Sequence, residues 1–315
     1  MSPPVAVLLI AFGGPTGPAE IRPFLENVAR GRRIAPERLD EVAHHYERMP
    51  GGRSPLNDRT FAQARALAAA LERAGRAVPV FVGMRNWHPL LHETLAEMAG
   101  RGVRRALGII LSPLRTEASW DRYMSDVEEA RARTPAAPEI VFAPAWSAHP
   151  GFLDAVADRA RRAFEDVPED ERRWTPLVFT AHSVPVPMAD ASPYVTDLTA
   201  AARAVAARLD HPRWALAYQS RSGNPGDPWL EPDILDVLKS LAGDGERHVV
   251  VVPIGFVCDH VELLYDLDVD AAAAARAMGL ALHRASAVND HPASDDDELH
   301  APVVTRSASM AMKAG

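Results

Sequence analysis

Short, continuous apolar runs alternate along this chain with longer stretches patterned for helix. The first runs are Val5 to Phe12, Val78 to Gly83, Ala106 to Leu111 and Ile140 to Ala143, separated by helix-length segments such as Thr60 to Ala74. A second set follows at Pro176 to Ala181, Trp214 to Gln219, His248 to Ile254 and Leu280 to Arg284. Strands alternating with helices predict parallel βαβ units, because a parallel neighbour is reached only through a crossover. Two equal sets of strands predict an α/β protein of two similar doubly wound halves. The join is expected near Ala145 to Gly151, where Pro144 and Pro150 punctuate the pattern, giving domains over 1–147 and 148–292. Two such halves facing each other would leave a cleft suited to a large ligand. Beyond Pro292 the pattern changes to an acidic run, Asp295 to Glu298, and the small-residue stretch SASMAMKAG. Residues 293–315 are therefore expected to form a mobile or weakly docked tail.

Composition narrows the possibilities. With 47% hydrophobic and 24% charged residues in 315, the chain can bury a sizeable core under a solvated surface. A formal net charge of -8 disfavours binding to nucleic-acid phosphates, so no nucleic-acid partner is expected. Cys258 is the only cysteine, which excludes an intramolecular disulfide and fits a reducing compartment. The opening MSPPVAVLLIAFGGP has no basic leader before its short apolar stretch, and no run approaches the length of a membrane span. A cytoplasmic protein is expected, with peripheral membrane contact left open. Nothing in the pattern specifies an oligomer, and a monomer is the expectation.

Candidate chemistry lies where apolar runs end. FTAHSVP places His182 at the end of one run, and VVVVPIGFVCDHVELLYDLDVD places Glu262 after another. In a parallel α/β sheet, the crevice outside the carboxyl ends of the strands collects such polar side chains around a ligand. A His after a strand is also a common structural residue. Here small Ala181 and Ser183 flank it, and Pro185 and Pro187 stiffen the loop that follows. A neutral imidazole can accept a proton near physiological pH or bind a transition metal. Glu262, Asp266 and Asp270 recur at four-residue spacing, which on an α-helix forms one slowly drifting row of carboxylates. Such a row is readable as a solvated face near a helix N-terminus, or as hard oxygen ligands that conduct a hydrated divalent cation. FGGPTGP is no dinucleotide fingerprint. It lacks the GxGxxG order, and Pro15 and Pro18 remove amide donors that a pyrophosphate would use.

Taken in order, FGGP at 12–15, FLENVARGR at 24–32, GGRSPLN at 51–57, GMRNWHP at 83–89, FTAHSVP at 179–185, YQSRSGNPGDPWLEPD at 218–233 and PIGFVCDHVELLYDLD at 253–268 resemble the ferrochelatase family. These enzymes insert ferrous iron into a porphyrin in haem biosynthesis. The resemblance runs from about Ala6 to Pro292, and its wording is nearest the actinobacterial type, which acts on coproporphyrin III. It implies two Rossmann-like, chelatase-like domains with the active cleft between them, and a lyase with Fe2+ as substrate. It assigns His182 and Glu262 to proton removal and metal delivery without deciding which does which. Asp266 and Asp270 match outer carboxylates on an iron route. Phe12, Trp87 and Trp229 match apolar walls for a macrocycle, and Arg30, Arg32, Ser54 and Tyr123 match donors to its propionates. Arginine suits that task because its planar fork donates two parallel hydrogen bonds.

The chain departs from the family pattern at three places. Phe12 stands where several coproporphyrin-type relatives carry a tyrosine, so this side chain cannot ligate iron. Some actinobacterial relatives hold a [2Fe–2S] cluster on several cysteines, and Cys258 alone cannot. The expected terminal helix after NDHP is replaced by the atypical tail. Two rival readings stay open at this point: a cobalt or nickel chelatase of the same fold, and a porphyrin- or haem-binding protein without turnover.

Overall fold

The computed structural model describes residues 5–31, 36–222 and 226–291. The tail at 293–315 and Arg32 lie outside the described residues. The chain forms two compact units. One contains the described residues up to Leu111 together with Trp120–Pro144, and the other contains Ser112–Ser119 and the described residues from Ala145 to His291.

In the first unit the order is β1 (Val5–Ala11), α1 (Pro18–Ala29), α2 (Pro36–Glu47), α3 (Leu56–Arg73), β2 (Val80–Met84), α4 (Leu91–Gly100), β3 (Arg105–Ile110), α5 (Arg122–Ala132) and β4 (Glu139–Phe142). All pairings are parallel, in the order β2-β1-β3-β4. β1 is central, and Ala6 to Ile10 are fully buried, as an unbroken apolar strand covered on both faces must be. Val7, Leu9, Leu107 and Ile109 pack with Leu67 and Leu71 of α3 to form the core on one face. Each fully buried aliphatic side chain of this kind contributes about 1.5–3 kcal/mol.

The second unit repeats the plan. Its order is α6 (Pro150–Glu165), β5 (Leu177–His182), α7 (Val186–Asp190), α8 (Tyr194–Arg208), β6 (Trp214–Gln219), α9 (Ile234–Gly243), β7 (His248–Val252), α10 (Val261–Leu263), a π-helical stretch Leu264–Ala271, α11 (Ala272–Ala277) and β8 (Ala281–Arg284). The sheet is again parallel, in the order β6-β5-β7-β8. Connections from β5 and β7 leave in opposite directions along this sheet. The two strands therefore flank its topological switch point, where open α/β sheets bind ligands.

The expected α-helical row of carboxylates needs correction. Only Val261–Leu263 is α-helical, and Asp266 and Asp270 lie on the π-helical stretch. A wider turn takes more residues, so side chains four apart fall just short of a full turn instead of just past one. An overshoot in the α-helical turn and an undershoot in the π-helical stretch partly cancel, which holds the three carboxylates closer to a single stripe than an unbroken α-helix would.

Candidate active site

His182 is the last residue of β5 and half-buried. Its Nδ1 is paired with the carbonyl of Ser183. A carbonyl only accepts, so Nδ1 carries the hydrogen in the neutral ring and Nε2 keeps its lone pair. The backbone around it is fixed from three sides. Tyr194 Oη donates to the His182 carbonyl at 2.9 Å, the Ser183 amide donates to Gln219 O at 2.7 Å, and Ser183 Oγ donates to Leu230 O at 2.9 Å. Burial raises the Tyr194 phenol above its usual range, so it stays a donor at any working pH.

Across the switch point, the loop after β7 packs directly on β5. The Gly255 amide donates to Thr180 O at 3.1 Å. His260 follows at the N-cap position of α10, its ring edge-on to Phe256 at 4.6 Å. Glu262 is exposed and Asp266 half-buried, with the Ser220 hydroxyl donating to Asp266 Oδ2. Burial pushes Asp266 up to about 6. The Ser220 bond and His182 oppose that rise, while Glu262 and Asp270 add to it. Burial lowers the His260 imidazole, with His182 acting in the same direction and Glu262 against it. Imidazole and carboxylates are thus close enough to influence one another, and all belong to the second unit. Among the described residues no group of three or more His, Cys, Asp or Glu side chains could hold a metal ion. The chemistry on offer is an oriented nitrogen base beside a succession of oxygen donors.

Ser220 and His260 went unassigned by sequence reasoning, although both sit inside motifs it singled out. The signal available was position: each follows the carboxyl end of a strand that neighbours, or flanks, the switch point. Trp229 lies nearby, bridged to Pro185, and its buried Nε1 has no hydrogen-bond partner.

Phe12, Arg30, Ser54, Trp87 and Tyr123 belong to the first unit. Phe12 is 37% exposed and meets Phe24 edge-on at 6.3 Å, and Trp87 meets the same ring at 6.2 Å, so the two predicted wall residues share one aromatic cluster. Trp87 Nε1 donates to Glu20 Oε2 at 2.8 Å. The loop carrying Phe12 is clamped by Asn57, which accepts from the Gly14 amide at 2.9 Å and donates to the Gly14 carbonyl at 2.8 Å. Arg30 is exposed at the end of α1 and paired with Asn27. Ser54 is buried, its hydroxyl accepting from Leu56 N at 3.3 Å. Tyr123 is also buried, under the Arg85 guanidinium at 4.4 Å from the ring centre.

A family model described as Ferrochelatase matches residues 4–295. Coproporphyrin III ferrochelatase of Frankia alni is 46% identical over 301 residues, covering 91% of this chain and 76% of the relative. The protein of the same name from Nocardia farcinica is 45% identical over 300 residues, covering 91% and 84%. Among solved structures, SirB from Bacillus subtilis with Fe3+ superposes with a TM-score of 0.54 at 12% identity, covering 98% of this chain and 94% of that one. At that identity the likeness bears on the fold alone.

Proposed function

The chain belongs to the ferrochelatase family, and from that premise we propose that it inserts Fe2+ into coproporphyrin III in haem biosynthesis, giving coprohaem. The observation that carries the reading is that His182 ends β5 while the loop after β7, which leads into the segment bearing Glu262 and Asp266, is bonded to that same strand through Gly255 and Thr180. Insertion removes two pyrrole protons while the ion sheds its water, so it needs a base and a separate set of metal-holding oxygens. In the neutral His182 ring, whose Nδ1 donates to Ser183, Nε2 keeps its lone pair and takes the pyrrole protons one at a time, releasing the first to water before the second. Glu262 receives the iron, and Asp266 and Asp270 hand it on from solvent as partial ligands. Phe12, Trp87 and Trp229 press on the macrocycle, and Arg30, Arg32, Ser54 and Tyr123 serve its propionates.

The choice of coproporphyrin III rests on the names of the relatives. Iron is substrate here, and the single cysteine leaves no place for a cysteine-held cluster. No described helix is long and apolar enough to cross a membrane. Independently of that, a cytoplasmic monomer is our proposal. The test is anaerobic mixing with Fe2+ and either coproporphyrin III or protoporphyrin IX, followed at the Soret band. Turnover beyond one equivalent, faster with coproporphyrin III, is expected. One equivalent or less overturns the enzyme reading, and faster protoporphyrin IX turnover overturns the substrate assignment.

A further inference from the structure

We propose that Arg284 is a positioning residue for the iron-handling carboxylates Glu262 and Asp266, pinning the stretch that carries them at Asp259 and at Asp268; the inference rests on the ferrochelatase reading. Arg284 ends β8, and its side chain is only 14% exposed. Nη1 donates to Asp259 Oδ1 at 2.8 Å. Nε and Nη2 meet the two oxygens of Asp268, the second at 2.9 Å. One planar fork therefore spans Asp268 while its remaining nitrogen holds Asp259. Between these two aspartates lie His260, Glu262 and Asp266.

The anchor at Asp259 is complete. Besides Arg284, its carboxylate accepts from Asn289 Nδ2 at 2.7 Å and from the Ala287 amide at 3.2 Å, while its own amide donates to Asn289 Oδ1 at 2.9 Å. Burial alone would raise this carboxyl, yet Arg284 and Asn289 hold it below its ordinary value.

The segment needs such a pin for two reasons. Its π-helical winding is one that isolated sequences rarely sustain. It also carries Glu262, Asp266, Asp268 and Asp270 within nine residues, and like charges at helical spacing repel. Arg284 neutralises Asp268, so that its charge no longer adds to the repulsion along the row of Glu262, Asp266 and Asp270. Lysine cannot replace it, because one ammonium on a flexible stem lacks the fork that spans one carboxylate while holding a second.

The test compares Asp268→Asn, which strips the charge and one of the two acceptors from the π-helical arm alone, with Arg284→Lys and the double variant. Steady-state kinetics vary Fe2+ and coproporphyrin III independently, fluorescence titration gives porphyrin affinity, and hydrogen exchange follows amides 261–271. For Asp268→Asn we expect the KM for iron to rise about tenfold with porphyrin affinity changed by less than about twofold. Exchange over 261–271 should quicken while β5 stays protected. The double variant should be no worse than Arg284→Lys, since both remove one interaction. An unchanged iron KM and unchanged exchange in Asp268→Asn overturn the proposal, as does a parallel loss of iron and porphyrin constants with a lowered Tm. Wild-type chain without turnover sinks the ferrochelatase reading and the iron role with it, while exchange over 261–271 separately decides whether Arg284 holds the segment.

Discussion

Gly255 lies so close to Ala181 that a Cβ built on it would sit 2.6 Å from the Ala181 Cβ and 2.8 Å from its Cα. Backbone cannot retreat as a side-chain tip can, so Gly255→Ala must push the loop after β7 away from β5, one residue before His182. We predict a loss of about 1–3 kcal/mol, the usual range for overpacking, and a fall in kcat. Gly243→Ala is the control: nothing lies within 4 Å of its Cβ position at the end of α9. Urea denaturation of both variants checks this, and equal midpoints would refute the close-packing argument.

His182→Ala should lower kcat by about 10²- to 10⁴-fold, the contribution of a positioned general base, while porphyrin affinity measured by fluorescence stays near wild type. The Tyr194 and Ser183 bonds run to backbone atoms, so the strand end survives truncation of the ring. Wild-type turnover in this variant would remove His182 from the mechanism.

How much of this was legible in the sequence depended on whether the cause was local. The strands were, because β1 and β7 are central and covered on both faces, and their apolar runs are unbroken. α3 begins at Leu56 rather than near Thr60, because its polar first turn reads as loop until Asn57 is seen clamping Gly14. The π-helical winding was illegible, since a spacing of four suits either helix and Asp268 is fixed by Arg284 at the end of β8. The need for glycine at 255 depends on Ala181, far away in sequence. Ser54 matched a family donor position, yet burial and its bond to Leu56 were set by how its own loop folds back.

Asp270→Ala tests the outer end of the carboxylate row. Asp270 is exposed, so removing it should cost little stability, and a buried structural partner is not at stake. We expect the KM for Fe2+ to rise about three- to tenfold with kcat at saturating iron nearly unchanged, as for loss of one weak ligand worth ~1 kcal/mol. A fall in kcat with unaltered iron KM would place Asp270 outside the iron route.

Asp266 allows a prediction in which stability and function move in opposite directions. Burial pushes its carboxyl from 3.8 up to about 6 in the folded chain. Between these values the folded state holds a proton that the unfolded chain has released. This stabilisation is fully present below about pH 4 and is lost as pH rises through about 6, leaving a buried charge that disfavours folding at neutral pH. Asp266→Asn is uncharged throughout and can still accept from Ser220 Oγ. The variant should therefore be more stable than wild type at about pH 7.5, by on the order of 1–3 kcal/mol, with the gap closing towards about pH 4. Because the charge that burdens the fold is the one offered to iron, the same variant should need more Fe2+ to reach half-maximal rate. Urea midpoints at the two pH values, paired with iron titrations, decide it: a gap independent of pH would show that Asp266 carries no such strain.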